Sequence, residues 1–130
     1  MVESLGIYKS AMFNFEKLDV WQEAIRFADL VYELTAGCPD EERFGLTNQM
    51  RRTAVSISSN IAEGSSRVSR TDFARFVEIA TGPLFEVVSQ TTIALRRKMI
   101  GQNNKYNEIY AAAEKQSKML SGLRRSLSET

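Results

Sequence analysis

Side chains that could take part in chemistry are concentrated in one stretch, which runs from Arg51 to Arg67 and reads RRTAVSISSNIAEGSSR. It combines serines, arginines, an asparagine and a glutamate with apolar residues at helical spacing. A serine nucleophile needs a base to accept its proton, but the chain has no histidine and no lysine between Lys17 and Lys98. The serines therefore favour close helix packing over catalysis.

Metal and cofactor sites are disfavoured by the same composition. With one cysteine and no histidine, the chain cannot form a disulfide framework, a Cys/His zinc site or a triad with an imidazole base. Carboxylate metal sites in helical bundles use Glu-x-x-His, and GxGxxG and P-loop patterns are absent. Cys38 lies in an apparent loop without a nearby base. We expect no catalytic residue, no metal and no cofactor, and thus a protein that is not an enzyme.

Clusters of arginine and lysine are the remaining candidates for a functional site, because such side chains bind phosphate groups. The candidate nucleic-acid-binding residues are Arg51, Arg52, Arg67, Arg70, Arg96, Arg97 and Lys98. We expect the first four to cluster around the connection between the second and third helices, with the last three as a second site. Each cluster has an alternative interpretation as solvated surface or as charge at a helix end.

The net charge of +1 conceals an uneven distribution of charged residues. Residues 1–50 hold nine acids and four bases, a net −5, whereas residues 51–130 hold seven acids and thirteen bases, a net +6. This asymmetry can guide head-to-tail self-assembly or present a basic face to phosphate. It can equally be neutralised within the chain when the helices pack.

Four amphipathic helices must position these side chains. The first spans about 19–36 and is stopped by Gly37 and Pro39, and the regular part of the second spans about 46–63. The third begins with Ser69 as its N-cap and should stop near Gly101 after a kink or break at Pro83. The fourth starts at 103–104. These elements predict an all-α fold, an antiparallel up-down four-helix bundle.

The length of the chain is that of one domain with its own core. We expect a single bundle domain over residues 15–130 and a loosely ordered arm over residues 1–14. The start of the chain lacks a signal pattern, and its apolar runs fall short of the ~18 residues that a membrane span requires. We therefore expect a cytoplasmic protein that does not enter a membrane.

Three residues of the second helix have predicted structural roles. In a heptad arrangement, Asn60 falls on a core position, where it must hydrogen-bond to another helix or to backbone. Gly64 is expected to be the residue that ends the helix, at the C′ position. Glu63 is expected on the helix flank, within reach of Arg67 or Arg75.

The apolar surface of the first helix also bears on self-association. Its apolar residues spread over more than one side, which exceeds the single stripe that a four-helix bundle needs. Surplus apolar surface predicts that the protein is a homo-oligomer.

A family resemblance is carried by three segments of the sequence. They are FEKLDVWQEA from Phe15, PDEERFGLTNQMRR from Pro39 and SISSNIAEG from Ser56. Together they resemble the four-helix-bundle family known from proteins encoded in intervening sequences of bacterial 23S ribosomal RNA genes. Ser58 stands where that family often has proline, and Pro83 stands where its Gly-Ser-Leu segment has serine.

The resemblance implies more than a fold. Accessory variability determinant proteins of diversity-generating retroelements, which are related to this family, form a homopentameric barrel, bind nucleic acid and associate with a reverse transcriptase. We therefore expect a pentamer-like homo-oligomer that binds RNA or DNA, with a reverse transcriptase as a further candidate partner. The alternative is a protein-interaction scaffold without nucleic acid, which the low net charge favours. Salt-dependent retention on nucleic acid would distinguish the two.

Overall fold

The computed structural model describes residues 13–42, 45–101 and 104–129, and these form one helical bundle. Most of the predicted arm, residues 1–12, lies outside the described residues. Four α-helices are present: α1 Asp19–Ala36, α2 Leu46–Ser65, α3 Arg70–Arg96 and α4 Asn104–Ser128. Short 3-10 turns at Asn14–Lys17 and Asp40–Glu42 precede α1 and α2, and no strand occurs in the described ranges.

Each helix packs against its neighbours along the chain, and α4 closes the bundle against α1. The backbones of the diagonal pairs α1–α3 and α2–α4 lie farther apart, with no two Cα atoms within 8 Å over the residues described. Gln90 of α3 reaches Thr53 of α2, and Gln116 of α4 reaches the carbonyl of Val20 in α1, which fixes the antiparallel register. The predicted up-down four-helix bundle is confirmed.

This alternation brings the C-termini of α1 and α3 to the same end of the bundle as the N-termini of α2 and α4. We call it the upper end, and the opposite end the lower end. All four helices contribute buried apolar side chains to one core between the two ends. The largest of these side chains are Phe27, Met50, Ile57, Ile61, Leu84, Ile109 and Leu120.

Helix α3 runs through Pro83 without a break, so the break that the sequence allowed does not occur. Pro83 has no N–H group, so the carbonyl of Ile79 lacks its usual helical donor. Ile79 is exposed, so this residue lies on the solvent side of the helix. At its start, Ser69 accepts a hydrogen bond from the backbone N–H of Asp72 at 3.0 Å, which confirms the predicted N-cap.

The end of α3 differs from the prediction, since the helix stops at Arg96 and not near Gly101. Lys98 adopts a left-handed conformation with φ 59°. The backbone N–H groups of Lys98 and Met99 donate to the carbonyls of Leu95 and Ala94 at 3.0 and 2.9 Å. These are the two hydrogen bonds of a Schellman motif, which closes the helix without a glycine.

The surplus apolar surface predicted on α1 is partly covered within the chain. The 3-10 turn before α1 places the Phe15 ring edge-on to Trp21, with 4.9 Å between ring centroids. Large apolar side chains remain exposed on all four helices: Tyr32 on α1, Val55 on α2, Ile79, Phe85 and Ile93 on α3, and Tyr110 on α4. No helix among the described residues combines the length and apolar character needed to cross a membrane.

Candidate nucleic-acid interface

The candidate arginines divide between the two ends of the bundle, contrary to the grouping expected from the sequence. Arg51 and Arg52 lie in the first turns of α2, whereas Arg67 and Arg70 flank the connection after its last residue. Along a helix that rises 1.5 Å per residue, the two pairs are about 20 Å apart. The upper end instead joins Arg51 and Arg52 with Arg96, Arg97 and Lys98, because α3 ends where α2 begins.

Arg51 connects α2 to α1. Its Nε donates to the Thr35 hydroxyl at 2.7 Å, and a terminal nitrogen donates to the Tyr32 carbonyl at 3.4 Å. The guanidinium also lies over the Tyr32 ring, 4.5 Å from the ring centroid. Thr35 is buried and donates to the Val31 carbonyl. Arg51 is thus held in place, with part of its hydrogen-bonding capacity used inside the chain.

The two candidate arginines at the lower end, Arg67 and Arg70, are engaged in contacts within the chain. Arg67 pairs with Glu63 at 2.9 Å and lies 4.7 Å from the centroid of the Phe76 ring. Arg70 donates to the carbonyl of Ser126 at 2.7 Å and so ties the start of α3 to the end of α4. These contacts give both arginines a structural role.

Four of the predicted phosphate-binding cations at the upper end are exposed and have no ion pair in the part of the chain that the structure describes. They are Arg52, Arg96, Arg97 and Lys98. The turn of Lys98 places three consecutive basic residues just beyond the last regular residues of α3. Asp40 and Glu41 occupy the α1–α2 connection at the same end, so the positive charge is concentrated where α3 ends.

The structural residues of α2 have partly different roles from those predicted. Asn60 is half-buried, and its side-chain nitrogen donates to the Ser56 carbonyl of its own helix at 2.8 Å. Its partner is therefore backbone, and it lies at the edge of the core. Glu63 pairs with Arg67, one of the two partners proposed for it.

Gly64 does not end α2, which continues through Ser65. It is buried against α3, where an added Cβ would lie 2.6 Å from the Cβ of Phe76. The absence of a side chain serves close helix contact and not a left-handed turn. The C-cap is Ser66, whose backbone N–H donates to the Glu63 carbonyl, and the backbone N–H of Arg67 donates to the Gly64 carbonyl, both at 3.1 Å.

Glu23 is a buried carboxylate that was not predicted from the sequence. It is 6% exposed on the core side of α1, and it accepts a hydrogen bond from Arg26 at 2.8 Å and pairs with Lys115 of α4 at 3.4 Å. Burial acts to raise the pKa of Glu23, but the hydrogen bonds and charges of Arg26 and Lys115 outweigh burial and leave it below its usual value. Its position on the apolar stripe, between Val20 and Phe27, was the available signal.

Two buried glutamines were also not anticipated. Gln116 is fully buried and donates to the carbonyl of Val20 at 2.9 Å, while its own Oε1 has no partner among the described residues. Gln90 donates to the Thr53 hydroxyl at 3.4 Å, and within the same described ranges its Oε1 is also without a partner. Both residues link helices through polar contacts inside the bundle. Among the residues that are described, no group of three or more acidic, cysteine or histidine side chains could hold a metal ion.

Helix order, register and core define an all-α up-down bundle with a basic upper end. The family model for the 23S rRNA-intervening sequence protein matches residues 16–122, and the chain belongs to that family. This confirms the resemblance seen in the sequence.

A solved structure shares the fold, a protein of unknown function from the S23 ribosomal protein family of Bacteroides thetaiotaomicron. The two chains are 24% identical with a TM-score of 0.73, and the match covers 82% of this chain and 95% of the other. No curated protein matches the sequence.

Proposed function

We propose that the protein is a non-enzymatic homo-oligomer that binds nucleic acid through the basic upper end of its bundle. The observation that carries the proposal is that four of the predicted cations at that end, Arg52, Arg96, Arg97 and Lys98, are exposed and form no ion pair with any residue that the structure describes. Guanidinium and ammonium groups that are not already paired make strong, charge-assisted contacts to phosphate oxygens. Arg67 and Arg70 have a lesser part in the proposal because their donors already serve the chain.

Self-association supplies the number of cations that a single subunit lacks. Four free cations make only a few phosphate contacts, but a closed assembly repeats them around its symmetry axis. Binding of this kind is directed at the sugar-phosphate backbone, and it is tolerant of sequence and strongly salt-dependent.

The surface proposed for self-association lies on α3 and α4. Phe85 is 63% exposed and Tyr110 is 47% exposed. With Val88 they border an apolar groove of about 360 Å³ between the two helices. Exposed aromatic side chains beside an apolar groove are typical of a protein contact surface.

Self-association is tested by the change Phe85→Glu, with Val68→Glu as a matched control. Both replace an exposed apolar residue by the same charge, but Val68 is fully exposed in the α2–α3 connection, away from the groove. Light scattering should give an oligomer for the wild type and for Val68→Glu, and a smaller species for Phe85→Glu. A monomeric wild type at micromolar concentration would contradict the proposal.

Nucleic-acid binding is tested by the double change Arg96→Glu and Arg97→Glu. The control is Arg124→Glu with Arg125→Glu, which makes the same change in net charge on exposed residues of α4 at the lower end. The upper-end variant should bind labelled RNA and DNA more weakly and with a flatter salt dependence, by about one released counterion per lost phosphate contact. Equal weakening by both variants would show that net charge and not the upper end controls binding.

The alternative function is a protein-interaction scaffold, and the exposed groove between α3 and α4 is the observation that favours it. An oligomer that retains no RNA or DNA at low salt would establish that alternative over nucleic-acid binding.

A further inference from the structure

A second groove lies between α1 and α2 near the upper end and has a different character from the one on α3 and α4. It encloses about 450 Å³ and is open to solvent. Tyr32 and Val55 provide exposed apolar surface, while Arg51, Arg52 and Asn48 provide donors along it. An aromatic ring beside two arginines and a side-chain amide is the combination that contacts an unpaired base and its phosphate.

The aromatic ring is held in place by the contacts of Arg51. The guanidinium lies 4.5 Å from the Tyr32 ring centroid and is fixed by its hydrogen bonds to Thr35 and to the Tyr32 carbonyl. Tyr32 nevertheless remains 45% exposed. A base can therefore stack on a prearranged tyrosine–arginine pair without ordering a flexible side chain first.

We propose that this groove binds an unpaired nucleobase of single-stranded RNA or DNA, stacked against Tyr32, while Arg52 contacts the adjoining phosphate. Asn48 is half-buried in the groove and offers an amide to the base edge. The inference rests on the proposed nucleic-acid binding and adds to it the strandedness of the ligand. Bases in a duplex are already stacked and paired, so the groove discriminates against double-stranded nucleic acid.

The comparison with Tyr110 shows why exposure alone is insufficient for this assignment. Tyr110 is 47% exposed, close to the value for Tyr32. The charged residues that line its groove are Glu114 and Lys118, and no arginine lines it. A carboxylate beside the ring repels phosphate, so the nucleic-acid contact is assigned to the Tyr32 groove.

The experiment compares a single-stranded oligonucleotide, an abasic sugar-phosphate oligomer of equal length and a duplex. The protein variants are the wild type, Tyr32→Leu and Tyr32→Phe. For wild type and Tyr32→Phe, the base-bearing single strand should bind at least about fivefold more tightly than the abasic oligomer, since stacking on one aromatic side chain has this magnitude. Tyr32→Leu should lose that difference and should bind the abasic oligomer and the duplex as the wild type does.

The two proposals fail in different ways. Equal wild-type affinity for base-bearing and abasic single strands would overturn the stacking inference and leave phosphate binding intact. Preserved discrimination in Tyr32→Leu would also overturn it. Absence of binding to all three probes at low salt would contradict both. Circular dichroism of each variant verifies that the bundle is folded.

Discussion

Replacement of Gly64 by alanine tests the close contact between α2 and α3. The new Cβ would lie 2.6 Å from the Cβ of Phe76 and 3.0 Å from Cδ1 of Phe73. The Phe73 ring can rotate away, but the Phe76 Cβ is bonded directly to the α3 backbone. Since non-bonded carbons pack at about 3.5–4.0 Å, the two helices must separate by about 1 Å.

The expected change in the free energy of unfolding of Gly64→Ala is the sum of two opposing effects. Overpacking of a core costs about 1–3 kcal/mol, and a clash with a backbone-bound atom belongs at the upper limit or beyond. Alanine recovers about 1 kcal/mol because glycine is a poor helix former. We expect the free energy of unfolding of Gly64→Ala to fall by about 2 kcal/mol.

The assay is urea unfolding followed by circular dichroism at one fixed protein concentration, because self-association shifts apparent stability. Gly122→Ala is the matched control, since that glycine is also in a helix and an added Cβ meets no atom within 4 Å. It should stabilise the protein by about 0.5–1 kcal/mol. A Gly64→Ala variant as stable as the wild type, or more so, would refute the packing argument.

Three further predictions concern the stability of the bundle. Glu23→Gln should destabilise it by about 1–3 kcal/mol at pH 7, because a hydrogen-bonded charge is lost. The lowered pKa of Glu23 means that this contribution is present above the usual value of 4.5 and is lost as the pH falls through the lower folded-state pKa. Urea midpoints of wild type and variant should therefore converge in acid, and a constant difference would contradict the assignment. Lys98→Gly should raise the free energy of unfolding by about 0.5–1 kcal/mol, because glycine adopts φ 59° without strain. Lys98→Ala also removes the charge but should give no such gain in the same urea assay. Pro83→Ala should stabilise by about 1–2 kcal/mol, since it restores a hydrogen bond to the Ile79 carbonyl in an unbroken helix; a lower thermal midpoint than that of the wild type would be evidence against this.

Local signals predicted most of the fold. The apolar stripe with Gly37 and Pro39 gave the bounds of α1, and the Ser69 cap gave the start of α3, because both depend on residues within a turn of one another. Gly64 could not be assigned in this way. A glycine near a helix end fits both a left-handed cap and a close contact, and the deciding atom belongs to Phe76 on another helix.

The candidate site was predicted less well because the pairing of arginines is tertiary. Arg51 and Arg52 are adjacent in sequence, yet one is fixed on Thr35 of α1 and the other is exposed. Arg70 likewise finds a partner that the sequence alone does not identify, the carbonyl of Ser126, 56 residues away. The pair between Glu63 and Arg67, four residues apart along the chain, was within the reach of sequence reasoning. The sequence therefore identified the basic residues but not which of them are free.

The most direct test of the account is the salt dependence of single-stranded oligonucleotide binding by the wild-type oligomer, measured by fluorescence anisotropy. The account predicts measurable affinity at low salt and a linear fall of log K with log salt concentration, at about 0.7 per phosphate contact for a single strand. A homo-oligomeric sample that gives no anisotropy change at the lowest salt, or an affinity that does not depend on salt, would contradict it.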